Sequence, residues 1–270
     1  MAVNGVAKQV LDLLERGSYI AHSGVEVSIA QPLADAVKGT CIFTPAELQV
    51  LGEQLSGPFT GQLEVTAETT QAAGRTLAGE TTAVLNFASA QNPGGGFLGG
   101  ANAQEEDVCR CSGLYPTLLT QPVYYQENRK QKSLLYTDHA IFSPGVPFFK
   151  VRSNGELLED PYRVGVITMP APNSGPFLER NPESRPELEA AFARRWRGVL
   201  AIARERAIDT LVLGAWGCGA FRGDPEMCAR AAVESLNESG AHLKRVRFAI
   251  PDGGRSARNL DVFRRVCLAA

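Results

Sequence analysis

The residues best suited to chemistry in this chain are two adjacent glutamates, Glu105 and Glu106, that follow a run of glycines. A triple glycine stands at 94–96, and the apolar run 83–88 before it predicts a buried strand. The segment from Ala103 onward can be helical. A strand, a glycine loop and a helix start together bind anions, because glycine N–H groups approach closely and the helix dipole adds positive potential.

The two carboxyl groups indicate acid–base chemistry beyond simple phosphate binding. Like charges beside an anion raise the pKa of at least one carboxyl, which suits a general acid. Neighbours on a helix point about 100° apart, so one acid can hold a sugar hydroxyl while the other donates a proton. A carboxylic acid that protonates a leaving oxygen and then deprotonates water performs glycoside cleavage. Two other interpretations stay open, since acids are common at helix N-termini and Arg110 lies where it could pair with Glu106.

A second glycine-rich loop follows another predicted strand, 210–215. The loop consists of Gly217, Cys218, Gly219, Ala220 and Phe221. Strands alternate with helices along the chain, which predicts an α/β fold with a mixed, largely parallel central sheet and helices on both faces. Ligands bind outside the carboxyl ends of strands in such sheets. We therefore expect the two loops on either side of one phosphate-bearing ligand.

Periodicity and helix-start signals place the remaining elements. The expected helices are 3–16, one beginning at Thr44, 69–77, one at the glutamate pair, 185–207, 225–236 and 257–266, and the other expected strands are 25–29, 63–68, 140–142, 162–169 and 246–250. Prolines 144 and 147 are expected to end the strand at residue 142, and the proline-rich run 170–186 predicts a loop. The polar stretch 124–138 predicts an exposed excursion. One domain is expected over 1–270, with about 1–60 as a helical N-terminal extension packed on it.

Composition argues against several classes of protein. The net charge is -2, from 27 basic and 29 acidic residues, so a broad surface for duplex nucleic acid is not expected. No apolar run reaches the ~18 residues of a membrane span, and no secretory signal is visible, so a cytoplasmic protein is expected. Six cysteines are too few for a disulfide framework in 270 residues. Cys109-Arg110-Cys111 is too closely spaced for a usual zinc pair, so we expect free thiols and no metal.

The glycine loop also matches other nucleotide-binding patterns in part. Gly94-x-Gly96-x-x-Gly99 fits the dinucleotide fingerprint literally, but Asn92-Pro93 interrupts the tight turn that this fingerprint requires. No Gly-Lys-Ser/Thr follows, which excludes a Walker loop. A nucleotide-dependent oxidoreductase is therefore a distant alternative.

The triple glycine, seven further residues and then Gln104-Glu105-Glu106 resemble the signature of bacterial-type poly(ADP-ribose) glycohydrolases. The runs 86–92, 113–115 and 214–221 extend the resemblance, which spans roughly residues 60–268. It implies a macrodomain, an α/β/α sandwich that binds ADP-ribose and hydrolyses the ribose–ribose bond of poly(ADP-ribose) without metal or cofactor. ADP-ribosylated proteins would be the substrates, in the DNA damage response, and a monomer is the expected state.

The same resemblance implies a role for each site residue. Glu106 would be the catalytic acid/base, and Glu105 would hold the ribose on the leaving side of the bond. The implied substrate-binding residues are Asn92 at the distal ribose, Gly94, Gly95 and Gly96 beside it, Gln104 of the triplet, and Gly217, Cys218, Gly219, Ala220 and Phe221 around the diphosphate. Phe221 would also pack over the distal ribose.

Two rival functions stay open. Many macrodomains bind ADP-ribose without cutting polymer, although these generally lack the Gln-Glu-Glu triplet. Others remove mono(ADP-ribose) from a side chain or act on a small ADP-ribose derivative.

Overall fold

Nine strands and eleven α-helices make up residues 4–268 in this computed structural model. The strands are β1 (Ser18–Ile20), β2 (Glu26–Ser28), β3 (Cys41–Phe43), β4 (Gln62–Thr66), β5 (Thr82–Phe87), β6 (Ala140–Phe148), β7 (Tyr162–Met169), β8 (Thr210–Leu213) and β9 (Arg245–Ala249). The helices are α1 (Gly5–Arg16), α2 (Ala30–Gly39), α3 (Pro45–Glu53), α4 (Thr70–Thr76), α5 (Gln104–Cys111), α6 (Leu114–Leu119), α7 (Pro122–Lys130), α8 (Ser174–Arg180), α9 (Arg185–Glu205), α10 (Pro225–Ser239) and α11 (Arg255–Cys267).

Seven strands form one mixed sheet in the order β3-β6-β7-β5-β8-β9-β4. The pairs from β7 to β4 are parallel, and β6 is antiparallel to both of its neighbours. Successive side chains of β5 enter different cores: Ala83 and Leu85 pack with α9 and α10, and Val84 packs with α1 and α5. Helices thus cover both faces, which confirms the predicted α/β/α class.

The N-terminal segment is more than a helical extension. β1 and β2 form a hairpin, and β3 adds an edge strand to the main sheet by pairing with β6. α1 is capped by Asn4, whose backbone N–H also donates to Leu98 O at 2.8 Å and so joins α1 to the glycine loop. Val3, which the predicted helix included, lies outside the described residues. Because β3 shares its sheet with the C-terminal strand β9, we infer a single domain.

Local signals at two helix starts are confirmed. Thr44 and Glu47 form a capping box at α3, with Thr44 N donating to Glu47 Oε2 at 2.8 Å and Glu47 N donating to Thr44 Oγ1 at 3.3 Å. Asp224 caps α10 by accepting from Glu226 N at 3.1 Å. In α9 the predicted apolar face is buried: Leu188, Phe192, Trp196, Val199, Leu200 and Ala203.

Two predictions based on prolines were wrong. β6 continues to Phe148 with Pro144 and Pro147 inside it, because β3 pairs only with the first three residues of β6. Beyond them β6 loses its β3 partner, so the missing N–H of Pro144 costs little, and the register to β7 shifts between Ser143 and Val146. Near Pro147 the strand is covered again, because Gly113 N donates to Pro147 O at 2.9 Å and Ser112 forms a bridge with Phe148. The run 170–186 contains α8, since a proline is tolerated in the first turn of a helix.

The polar stretch 124–138 was also misjudged as an exposed excursion. It contains α7, and Tyr124, Tyr125, Asn128 and Leu135 are all buried. The aromatic rings and the amide face inward while the charged residues between them face solvent. Among the described residues, none of the helices has both the length and the apolar character needed to cross a bilayer.

Candidate active site

The two glycine loops open side by side at one edge of the sheet. β5 and β8 are parallel neighbours, with Val84 opposite Val212, so the loops that follow them start next to each other. Beside them lies a cavity of about 690 Å³, a volume that suits a nucleotide-sized ligand. Its lining residues are Thr69, Thr70, Gln71, Phe87, Asn102, Ala103, Gln104, Asp107, Ala171, Ala215, Trp216, Gly217, Gly219, Ala220, Phe221, Ala249, Ile250, Pro251, Ser256 and Asn259.

Gln104 fixes the start of α5 against β5. Its Oε1 accepts from Phe87 N at 2.8 Å, and its Nε2 donates to Leu85 O at 2.9 Å and to Thr70 Oγ1 at 3.1 Å. These three bonds occupy the carbonyl and both amide hydrogens. Gln104 lines the cavity, but its hydrogen bonds favour a role in positioning the two glutamates over the predicted direct contact with substrate.

Glu105 is almost completely buried, with 3% of its surface exposed. Its Oε2 accepts from Ser89 N at 2.7 Å, and its Oε1 lies 3.2 Å from Asn86 Nδ2. Burial raises the pKa of the Glu105 carboxyl to about 8, against the lowering effect of these hydrogen bonds, and the Glu106 charge raises it further. The predicted shift of one carboxyl in the pair therefore falls on Glu105.

Asn86 can accept a hydrogen bond from a protonated Glu105 carboxyl. Its side chain is fully buried, and its Oδ1 has no hydrogen-bond partner in the described part of the chain. Its Nδ2 lies 3.2 Å from both Glu105 Oε1 and Thr168 Oγ1. If the amide turns by 180°, Oδ1 faces a neutral Glu105 and accepts its O–H. The buried amide thus accommodates Glu105 with or without its proton.

Glu106 lies directly beneath the glycine loop. Its Oε1 accepts from Gly96 N at 2.7 Å, and its Oε2 accepts from Ala103 N at 3.1 Å, one half of a capping box at the start of α5. Arg110 does not claim this carboxylate: its guanidinium donates to Ala101 O and to Asn102 Oδ1. The ion pair that would have argued for a purely structural Glu106 is therefore not formed.

Gly95 determines how closely the loop approaches the two acids. Its φ is 59°, in the region that side chains rarely adopt. A Cβ at Gly95 would collide with Glu106 Oε1 and would lie 2.9 Å from Glu105 Oε2. Only glycine at this position leaves room for both carboxyl groups.

The second loop contributes four of its five predicted residues to the cavity wall: Gly217, Gly219, Ala220 and Phe221. The Cys218 thiol instead lies 3.9 Å from the Trp216 carbonyl oxygen. Asn92 is exposed at the rim of the first loop, where Asn92 O accepts from Gly95 N at 2.9 Å. The acids, Asn92 and the triple glycine do not line the 690 Å³ cavity itself but adjoin it through Gln104.

Part of the cavity wall was missed from the sequence. Thr69, Thr70 and Gln71 at the start of α4, with Ser256 and Asn259 of α11, complete this wall, and Thr70 also accepts a hydrogen bond from Gln104. Pro251, just after β9, and Ala171, just after β7, also line the cavity. The helix start at Thr69 could be predicted from the sequence. Nothing local indicated that α4 and α11 line the same cavity. Within residues 4–268, no group of three or more His, Cys, Asp and Glu side chains is placed to hold a metal ion.

The raised pKa of Glu105 predicts a pH-dependent stability. The pKa of the Glu105 carboxyl is about 8 in the folded protein, against the ordinary value of 4.5 expected in the unfolded chain. Between pH 4.5 and 8 the folded protein therefore binds more protons than the unfolded chain. Stability is then lost as pH rises from about 5 to about 8, with a contribution from Glu105 of up to roughly 1.4 kcal/mol per pH unit. Glu105→Gln, which cannot ionise, should flatten this fall. Urea unfolding across this pH range checks it.

Glu80→Gln provides the matched control, because Glu80 is exposed to solvent. Its unfolding free energy should follow the wild-type pH curve. If Glu105→Gln follows the wild-type curve as well, the buried carboxyl does not retain its proton in the native state.

Comparison with known proteins agrees with this geometry. A family model of the microbial-type PARG catalytic domain matches residues 7–151, which is more than half of the chain. The chain belongs to the microbial-type PARG family. This confirms the family expected from the glycine and Gln-Glu-Glu spacing, and with it a glycohydrolase of macrodomain-like fold. No curated protein matches the chain.

Solved structures of PARG, poly(ADP-ribose) glycohydrolase, are similar over most of the chain. PARG from Thermomonospora curvata is 43% identical with a TM-score of 0.88, over 96% of this chain and 97% of that one. The same enzyme bound to the inhibitor ADP-HPD is 42% identical with a TM-score of 0.86, over 96% and 97%. PARG from Deinococcus radiodurans in complex with ADP-ribose is 44% identical with a TM-score of 0.81, over 88% and 97%.

Proposed function

We propose that this PARG-family chain hydrolyses the ribose–ribose O-glycosidic bonds of poly(ADP-ribose) and releases ADP-ribose, with Glu106 as the acid and base. The observation that carries the proposal is the position of Glu106. Its carboxylate accepts from Gly96 N of the glycine loop and from Ala103 N, and Ala103 lines the ligand cavity. The complexes of related PARG enzymes with ADP-ribose and ADP-HPD support ADP-ribose as the ligand of this cavity.

The reaction begins with a protonated Glu106. It donates its proton to the 2′-oxygen of the departing unit, and the bond from that oxygen to the distal ribose breaks. The oxocarbenium ion that forms on the distal ribose is compensated by the diphosphate held at Gly217–Phe221. Glu106, now ionised, takes a proton from water, and the hydroxide attacks the sugar. The carboxyl is protonated again at the end of the cycle.

Glu105 is the rival proton donor, because its raised pKa keeps it neutral near pH 7. We assign it a binding role because its carboxyl is directed toward buried partners, Ser89 N and Asn86. When ribose binds, a neutral Glu105 can redirect its O–H from Asn86 Oδ1 to a ribose oxygen. Glu106 is the more exposed of the two acids, with 8% of its surface accessible against 3% for Glu105, so we assign it to the scissile bond.

We also infer the setting in which the enzyme works. It acts as a monomer in the cytoplasm, on polymer attached to ADP-ribosylated proteins. Asn92 contacts the distal ribose from the rim, and Phe221 packs over it from the opposite loop. The roles of Asn92 and Phe221 rest on the family resemblance and on the positions of both loops at one sheet edge.

The test supplies two substrates in parallel, automodified protein carrying long polymer and protein carrying single ADP-ribose units. We expect free ADP-ribose from the polymer and intact mono-modified protein. Release of ADP-ribose only from the mono-modified protein would show that the enzyme removes mono(ADP-ribose) from side chains instead. Binding of ADP-ribose without release from either substrate would make the chain a binding module.

A further inference from the structure

Tyr136 has a backbone conformation that bulky residues rarely adopt. Its φ is 61°, and within residues 4–268 only two other non-glycine residues have positive φ, Ala207 and Arg222. Two of these three, Tyr136 and Arg222, meet at Phe221: the Tyr136 ring contacts it, and Arg222 follows it in the chain. Such strain persists where the surrounding structure enforces it, and it concentrates at functional sites.

Buried polar groups hold Tyr136 in this conformation. Asn128 Oδ1 accepts from Thr137 N at 2.9 Å and from Thr137 Oγ1 at 3.0 Å. The Arg195 guanidinium, with no exposed surface, donates to Leu135 O. The residues on both sides of Tyr136 are therefore fixed from within the core, and the strained residue cannot relax alone.

The Tyr136 ring packs against Phe221. The two ring centroids are 6.1 Å apart, with the planes inclined by 46°. Phe221 lines the ligand cavity, whereas Tyr136 does not, so Tyr136 acts on the cavity through Phe221. From the other side, Phe221 O accepts from Gly175 N at 2.9 Å, and the Arg222 guanidinium donates to both Glu179 oxygens at 2.7 and 3.1 Å.

We propose that Tyr136 is a positioning residue that holds the Phe221 ring against the ribose of the bound ligand, and that its strained backbone is retained for this purpose. The inference rests on the proposed ADP-ribose site. Phe221 is anchored by its backbone through Gly175, and its ring packs against the core and against Tyr136. Without Tyr136 the ring loses one of these two contacts and can tilt, so the ligand loses packing before any chemistry occurs.

The experiment combines single and double variants with direct binding measurements. Tyr136→Gly removes the ring and accepts positive φ without strain. It should weaken ADP-ribose binding and raise KM for polymer by about 10-fold, equal to about 1.4 kcal/mol, with kcat within about twofold of wild type. Tyr136→Phe, which keeps the ring, should bind like wild type. In a Phe221→Ala background, Tyr136→Gly should have no further effect.

Ala207→Gly is the matched control, because it relieves positive φ at an exposed position after α9. It should leave both KM and ADP-ribose affinity unchanged. The proposal is overturned if the Tyr136 and Phe221 effects multiply independently, or if Ala207→Gly raises KM as much as Tyr136→Gly does. If the wild-type chain binds ADP-ribose but cuts no polymer, the proposed reaction fails, while the binding measurements still decide the role of Tyr136.

Discussion

Glu106→Gln is expected to lower the turnover of poly(ADP-ribose) by roughly 10²–10⁴-fold while ADP-ribose binding stays near that of the wild type. The amide has the shape of the carboxyl but cannot give a proton to the leaving oxygen or take one from water. Binding should persist because the diphosphate is held by the second loop, at a distance from this carboxyl. Single-turnover release of ADP-ribose from automodified protein measures the first effect, and calorimetry measures the second.

Thermal unfolding separates this catalytic effect from misfolding. The new amide NH₂ must face either Gly96 N or Ala103 N, both of which are donors, so a small loss of stability accompanies the substitution. A variant that remains folded and binds ADP-ribose, but releases none from polymer, isolates proton transfer. A wild-type rate in Glu106→Gln would remove Glu106 from the mechanism.

Gly95→Ala is expected to lower turnover by about 100-fold, since small displacements of catalytic groups cost that much. The added Cβ would collide with Glu106 Oε1 and would lie 2.9 Å from Glu105 Oε2, and alanine resists the φ of 59°. Either the loop rises or both carboxyl groups move, and Gly96 N then no longer bonds Glu106. The kcat on polymer measures the loss.

Gly99→Ala is the matched control in the same loop. No atom lies within 4 Å of a Cβ built at Gly99, and its φ is not positive. This variant should turn over polymer at close to the wild-type rate. Equal rates for Gly95→Ala and Gly99→Ala would mean that the loop does not set the position of the acids.

The sheet and both loops could be predicted from the sequence because buried parallel strands are continuous apolar runs. The strands β5, β7 and β8 all follow this pattern, and the glycines after β5 and β8 mark the carboxyl edge. The predictions that failed, the end of β6 and the exposure of residues 124–138, came from local sequence rules that tertiary contacts override. Pro144 breaks a strand only where its N–H would be paired, and Tyr124 and Tyr125 sit in a polar stretch yet face the core.

The division of roles between the two glutamates was not readable from their spacing. Adjacent acids at a helix start look alike in sequence. Only the folded loop shows that Ser89 N donates to Glu105 and that Gly96 N donates to Glu106. The same holds for Arg110, whose spacing allowed a pair with Glu106 but whose guanidinium donates to Ala101 O instead. The part of the cavity wall formed by α4 and α11 could not be predicted either, because it brings together segments that are distant in the sequence.

The most direct test of Glu106 as the proton-transfer residue compares Glu105→Gln and Glu106→Gln on the same polymer, at matched occupancy of the site. We predict the larger loss of turnover for Glu106→Gln, with ADP-ribose affinity retained. The opposite order, an inactive Glu105→Gln beside an active Glu106→Gln, would contradict this assignment. Glu105, the buried carboxyl with the raised pKa, would then be the proton donor.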